Sequence, residues 1–303
     1  MEYLCSDCPR KCGAARSQTL PGGFCASPAA ARVARAAPHF GEEPCISGTR
    51  GAGTIFFTGC NLRCVYCQNR EISRGVGAGR SLGAAELRDM MLRLRDEGVH
   101  CIDLVTPTHF VRAVREALDG LELGIPVVWN SSGYESVETL RTLEGLVQVY
   151  LPDYKYSDGA LAKKYSAAAD YPRLAADAIK EMFRQTGPYR LDEEGLLVSG
   201  VLIRHLILPG EIENSMGAID FVADTFPQGS VLFSLMSQYT PMPGLEAFPA
   251  LCRRVDAEEN AHLVRYMRRC GITDGYWQDP ASATAEMIPA FDGTGVERSK
   301  ASD

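Results

Sequence analysis

Past residue 52 the chain alternates short apolar runs with amphipathic stretches. The apolar runs fall at 53–58, 101–105, 125–129, 147–151, 200–207 and 230–236, each bounded by turn residues and of a length suited to a buried strand. Between them apolar positions recur at helical spacing. Leu87, Met90, Met91 and Leu94 form one such set, and Phe110, Val114, Ala117, Leu118 and Leu121 another. Stretches 135–144, 166–185, 213–223 and 256–269 follow the same period. Strands alternating with helices predict an α/β fold with a parallel sheet. Six such units are too few for a closed eight-stranded barrel, so the expected architecture is a partial (β/α)6 barrel of the TIM type. Residues 1–48, rich in Cys, Ala, Pro and Arg with little strand pattern, predict an irregular, metal-binding N-terminal module. The barrel then occupies 49–279, and 280–303 is a C-terminal tail expected to run as an extended or frayed strap.

Composition narrows the class. At 303 residues with 46% hydrophobic and 23% charged positions, the chain can bury a full core as a globular protein. It has no apolar run long enough to predict a membrane span. Its first residues have neither the basic start nor the apolar core of a signal peptide. Eleven cysteines in such a chain point to a reducing, cytoplasmic compartment and to metal binding rather than disulfides. A net charge of −7 excludes a whole-chain nucleic-acid footprint. The charge is uneven, however: residues 1–80 hold 10 of the 31 Lys and Arg but 5 of the 38 Asp and Glu. Arg50, Arg63, Arg70, Arg74 and Arg80 flank one cysteine loop against Glu71 alone. They either neutralise what the loop holds or form a docking face for an acidic electron donor.

That loop is Cys60-x3-Cys64-x2-Cys67. A cubane iron–sulfur cluster takes four thiolates, one per iron; three from one loop leave the fourth iron open to bind a small molecule. A partial zinc site is the alternative, although zinc usually shows paired spacings that close four ligands. A second set, Cys5, Cys8 and Cys12 with Cys25, supplies four thiolates and fits either a second [4Fe–4S] cluster or a structural zinc. Cys45, Cys101, Cys252 and Cys270 are scattered and read as buried free thiols. In barrels of this kind chemistry collects at the C-terminal strand ends. After the cysteine loop these ends read Thr106-Pro107-Thr108-His109, Asn130-Ser131-Ser132-Gly133, Asp153-Tyr154-Lys155, Arg204-His205 and Gln238-Tyr239-Thr240.

The loop spacing, Tyr66 before its last cysteine, and the run Thr54-Ile55-Phe56-Phe57-Thr58 leading into it resemble the radical S-adenosylmethionine (SAM) superfamily. That resemblance implies a [4Fe–4S] cluster on Cys60, Cys64 and Cys67, reductive cleavage of SAM to a 5′-deoxyadenosyl radical, and hydrogen abstraction. The later strand ends are similar to the activating enzymes of glycyl-radical enzymes, of the pyruvate formate-lyase activase type. Asp153 and Lys155 match an Asp-x-Lys after the fourth strand, Asn130 to Gly133 an Asp-Thr-Asn-Gly-like turn, and Ile203-Arg204-His205 an Ile-Arg-aromatic segment. Thr106 and Thr108 stand where a Gly-Gly-Glu stretch is usual. The resemblance thus implies SAM contacts from Thr106, Thr108, Asn130, Ser131, Asp153, Lys155 and Arg204, and a donor such as flavodoxin or ferredoxin. Alternation along a strand lets only one of Arg204 and His205 face inward, and the match favours Arg204. The implied substrate is a protein glycine, with a peptide, tRNA or small metabolite as alternatives. A non-catalytic electron carrier would explain the cysteines but not an open site followed by five polar strand ends, and a metal-dependent interaction module would need only residues 1–48.

Overall fold

The structure, a computed structural model, describes residues 3–74, 79–278 and 289–296. A hairpin of β1 (Tyr3–Leu4) and β2 (Ala15–Arg16) is followed by β3 (Ala31–His39), α1 (Pro44–Ser47), β4 (Ala52–Phe57), α2 (Arg70–Ser73) and β5 (Arg80–Leu82). Helices then alternate with strands: α3 (Ala84–Asp96), β6 (Ile102–Val105), α4 (Val111–Leu118), β7 (Val127–Ser131), α5 (Val137–Arg141) and β8 (Val149–Pro152). Next come α6 (Gly159–Ser166), α7 (Tyr171–Thr186), the β9 (Arg190–Leu191) and β10 (Leu197–Leu206) hairpin, α8 (Ile212–Thr225), β11 (Leu232–Met236), α9 (Ala257–Arg269) and β12 (Gly275–Trp277).

The six expected strands form β4, β6, β7, β8, β10 and β11, side by side and parallel, with β12 added beyond β11. The sheet curves into a partial barrel without closing. Side chains on alternate positions point to opposite faces, and the packing separates accordingly. Ile55, Leu104, Trp129, Ile203 and Phe233 pack outward against the helices. Ala52, Cys101, Val128, Leu202 and Leu232 meet on the inner face with Cys45 and Ile46 of α1. That apolar plug fills the lower end of the lumen, so the open space lies above it, toward the C-terminal strand ends. Cys45 and Cys101 are buried packing residues there, as expected, whereas Cys252 is exposed and Cys270 half-buried at the end of α9, against that expectation.

Three features differ from the sequence reading. Residues 1–48 are not uniformly irregular: β3 is a nine-residue strand, antiparallel to β4 and part of the barrel sheet. Its alternation is broken by a register shift between Val33 and Arg35, which leaves Val33 and Ala34 both buried, so its period-two signal is lost. The helix expected over 166–185 is α7, which begins only at Tyr171, because Ala167 adopts a left-handed φ of 56° and closes a separate helix, α6, that the sequence reading left out. β12 has three residues, too few for a pattern to show. Of the tail, residues 289–296 lie against β3: the Ala36 N–H donates to Thr294 O at 3.0 Å, and Phe291 meets Phe56 edge-on with ring centroids 5.4 Å apart. The rest of the expected strap lies outside the described residues. Among the described residues no helix is long and apolar enough to cross a membrane.

Candidate functional site

β4 delivers the cysteine loop, and Gly59 is the joint. It has φ +81°, and a Cβ there would lie 2.3 Å from Ser27 Oγ and 2.7 Å from Cys25 O. Only glycine admits the N-terminal module this close to the loop at that φ. Cys60, Cys64 and Cys67 then line two cavities at once. One is a small outer pocket of about 20 Å³ shared with Arg63, Ser73 and Arg74. The other, of about 240 Å³, occupies the upper lumen with Thr106, Asn130, Ser131, Asp153, Lys155 and Arg204. Each thiol has a polar neighbour: Leu62 N–H donates to Cys60 Sγ at 3.4 Å, Ser166 Oγ lies 3.0 Å from Cys64 Sγ, and Ser73 Oγ lies 3.4 Å from Cys67 Sγ.

Arg204 organises the floor of this cavity. Its guanidinium donates to Asp153 Oδ1 at 2.9 Å, Glu42 Oε2 at 2.7 Å and Asn130 Oδ1 at 2.7 Å. Lys155 Nζ donates to Asp153 Oδ2 at 2.6 Å, spending one of its three donors. Burial alone would raise Asp153, but Arg204 and Lys155 hold its carboxyl below the ordinary value. Behind them burial pushes Asp103 well up, with the Glu42 charge adding to it, and burial likewise raises Glu43. Asp103 accepts from Asn130 Nδ2 at 3.3 Å on one oxygen and leaves Oδ1 unpartnered. Ser132 Oγ and Gln238 Oε1 line the same cavity and are also buried without a partner. Such groups call for a ligand or solvent to complete them.

The structure thus gathers Thr106, Asn130, Ser131, Asp153, Lys155 and Arg204 around the cysteine loop. Thr106 holds φ +59°, unusual for a β-branched residue and a form of strain common at functional sites. Thr108 is not brought in. Its hydroxyl donates to Glu135 Oε1 at 2.6 Å on the helix side, because a 3-10 turn over Thr108–Phe110 swings it out of the lumen. His205 also points away, as alternation requires: it is fully buried, with Nδ1 2.6 Å from Tyr154 O and Nε2 2.9 Å from Ser215 Oγ. Sequence reasoning missed Glu42, Glu43 and Asp103 as parts of the floor. Glu42 and Glu43 come from the segment between β3 and α1, where no barrel-strand signal marks them.

The arginine reading changes too. Arg50 sits at the opposite end of β4 and bonds His100, and Arg80 bonds Glu86. Arg63 donates to Cys60 O, Leu62 O and Phe24 O, and Arg70 to Val65 O and Pro243 O. These side chains staple backbone carbonyls around the loop rather than fronting solvent together.

Cys5, Cys8 and Cys12 of the second set lie between β1 and β2, and Cys25 comes from the turn closed by the Gly22–Ser27 bridge. Cys5, Cys8 and Cys25 are buried and Cys12 is exposed. Cys12 and Cys8 both lie in electrostatic range of Cys5, Cys8 also of Cys25, and the buried Arg16 donates to Cys25 Sγ. Arg10 donates to Asn61 O at 2.9 Å and Ala167 O at 2.7 Å, tying this module to the cysteine loop and its neighbour. Among the described residues no three His, Cys, Asp or Glu side chains converge as one ion requires. That holds for both cysteine sets, and a cubane would spread its thiolates over separate irons.

The radical SAM superfamily model matches residues 54–154, from β4 through the Asp153 turn. An uncharacterized protein of Methanocaldococcus jannaschii is 30% identical over 231 residues, which cover 73% of this chain and 62% of that protein. The structure of SuiB from Streptococcus suis bound to S-adenosylmethionine superposes with a TM-score of 0.51 at 13% identity, over 77% of this chain and 52% of that one. A radical SAM methyltransferase from Sphaerobacter thermophilus gives a TM-score of 0.51 at 15% identity, over 74% and 65%. At these identities the structural likeness shows the fold alone, and the chain spans less than two thirds of each of these proteins. The cysteine loop, the family match and the fold together identify residues 54–154 as a radical SAM superfamily domain.

Proposed function

We propose that this chain is a radical SAM enzyme whose reaction takes place in the upper lumen. The carrying observation is that Cys60, Cys64 and Cys67 share one cavity with Lys155, Arg204, Asp153 and two unpartnered buried polar atoms. The family implies a [4Fe–4S] cluster and SAM, and the residues present fit both. Three thiols face the cavity from one loop, and cations stand ready for a carboxylate. Hydroxyl, amide and carboxylate acceptors stand ready for an ammonium and a ribose. Cys60, Cys64 and Cys67 would hold the cluster, whose chemistry would be transfer of one electron to the sulfonium of SAM, with cleavage of its C5′–S bond to methionine and a 5′-deoxyadenosyl radical.

The chain's own residues position and shield. Lys155, with two donors left over, and Arg204 orient the carboxylate of SAM, while Asp153 fixes both cations. Thr106, Asn130 and Ser131 supply acceptors above the Arg204 floor, and the plug below excludes water. Gly133, at φ +71°, lets this turn approach Asp153 O, where a Cβ would lie 2.6 Å away. For the substrate we favour a protein glycine, as in the activases, and for the electron donor a flavodoxin or ferredoxin of a reducing cytoplasm. Cys5, Cys8, Cys12 and Cys25 hold a second metal centre, a [4Fe–4S] cluster by their spacing, with zinc as the other outcome. The test is anaerobic reconstitution followed by iron analysis and electron paramagnetic resonance. About four irons with a reduced signal that SAM perturbs are expected from the loop alone, and about eight if the second set also holds a cluster. A signal that SAM leaves unchanged would remove the reading.

A further inference from the structure

Three buried hydroxyls line up behind the cysteine loop. Tyr66 Oη lies 2.7 Å from Tyr156 Oη, Tyr156 Oη 2.6 Å from Ser166 Oγ, and Ser166 Oγ 3.0 Å from Cys64 Sγ. Tyr66 is 6% exposed and borders the lumen cavity, whereas Tyr156 and Ser166 are 0% exposed, so their hydroxyls are completed from within the row. Ser166 is the last residue of α6 and is clamped to the loop by backbone bonds. Arg63 N–H donates to Ser166 O at 3.2 Å, and Val65 N–H to Tyr165 O at 2.9 Å. The helix end and the loop therefore move as one, and the hydroxyl keeps its aim at the sulfur.

We propose that Tyr66, Tyr156 and Ser166 form a directed hydroxyl relay that donates to the Cys64 thiolate and raises the reduction potential of the cluster held there. The proposal rests on the radical SAM reading above. Its direction follows from counting hydrogens. Each hydroxyl has one hydrogen to give, and a metal-bound thiolate can only accept. Ser166 must therefore donate to Cys64 and accept from Tyr156, which must in turn accept from Tyr66. All three hydrogens are then used once. Run the other way, Ser166 would spend its hydrogen on Tyr156 and the buried thiolate would lose its donor, which buried polar groups avoid.

Bonds arranged head to tail polarise one another in a low-dielectric interior, so Ser166 is a stronger donor than an isolated serine. Adding an electron increases the negative charge on the cluster sulfurs, and hydrogen bonds to those sulfurs are one of the factors that set its potential. The relay thus favours the reduced state. Cys64 has the shortest sulfur contact of the three loop cysteines, and the only one backed by such a row among the described residues.

The test is a redox titration of the reconstituted holoprotein, followed by electron paramagnetic resonance with iron content measured in parallel. Ser166→Ala should keep its iron and move the midpoint negative by about 59 mV, a tenfold change in a one-electron equilibrium. Tyr156→Phe should move it the same way by less, since Ser166 keeps its contact with sulfur. Ser166→Thr, which retains the hydroxyl, should return it toward wild type. An unchanged or more positive midpoint in Ser166→Ala overturns the relay, as does a threonine variant no different from alanine. If Ser166→Ala cannot hold iron, Tyr156→Phe decides, and an unchanged midpoint there overturns it. A wild-type protein with no reducible cluster signal would instead overturn the radical SAM reading, and the relay with it.

Discussion

The two cysteine sets hang on scaffolds of different strength. Cys60, Cys64 and Cys67 follow a fully buried strand of the barrel sheet and are clamped by α6, Arg63 and Arg70. Cys5, Cys8 and Cys12 sit on a hairpin of two-residue strands, held to the barrel mainly by arginine-to-backbone bonds. The first loop is shaped by a hydrophobic core that exists without a metal. The second has little apolar surface to bury and, on the proposal of a second metal centre, would rely on that metal for cohesion. Position follows from this: the loop with its own scaffold stands at the strand ends where ligands bind, and the other packs behind it at Gly59.

The sharpest way to break this contrast is to delete one thiol from each set. Cys64→Ala should abolish SAM cleavage and the SAM-responsive resonance signal. Cys12→Ala should lower metal content yet leave that signal in place. Equal loss from both would mean that the sets act as one centre.

Next in size is the floor of the lumen. Arg204→Met leaves Glu42 and Asp153 buried without their shared cation, which should cost about 3–5 kcal/mol in urea unfolding. Arg204→Lys should not restore it, because one ammonium cannot reach three acceptors held in a planar fork. Full recovery with lysine would show that charge alone, not geometry, holds the floor.

Glu135 lies between the two sets. It bonds Thr108 and Trp129, and its charge reaches Cys8. Burial raises its carboxyl from 4.5 to about 7, although Thr108 and Trp129 pull it down. A raised folded value means that its contribution to stability is full below about pH 4.5 and is lost as pH climbs to about 7. Glu135→Gln should remove that fall, so the stability gap between variant and wild type shifts by about 3 kcal/mol across this window. Parallel pH profiles would refute the buried, protonated acid.

The smallest effect concerns the outer face of the loop. Arg63 and Arg70 spend their donors on backbone carbonyls, so Arg74, beside the outer pocket, is the better probe of donor docking. Arg74→Glu should slow reduction by an acidic flavodoxin a few-fold at low salt, converge with wild type at high salt, and leave dithionite reduction unchanged. Equal slowing with both reductants would assign Arg74 to the cluster rather than to docking.

Much of the barrel was legible because its strands are apolar runs with helical patterns between them. β3 was not, since a bulge hides its period. The loop cysteines were legible from their spacing, with Tyr66 and the apolar run before them, and Asp153, Lys155 and Arg204 from strand-end positions that resemble those of the activases. Alternation allowed only one of Arg204 and His205 to face inward, and the activase resemblance favoured Arg204, which the structure places in the lumen. It could not place Thr108, where a 3-10 turn replaces the strand geometry. Glu42 and Ser166 were invisible for a different reason. Both reach the site across long sequence separations, from a segment before the barrel and from a helix end, and nothing local marks where they arrive.

The central claim is tested most directly by incubating the reconstituted protein anaerobically with SAM and dithionite and assaying 5′-deoxyadenosine and methionine. The account predicts both products in equal amounts, dependent on reductant and absent in Cys64→Ala. A fully loaded, reducible cluster that binds SAM but forms no 5′-deoxyadenosine, or product formation that survives Cys64→Ala, would contradict it.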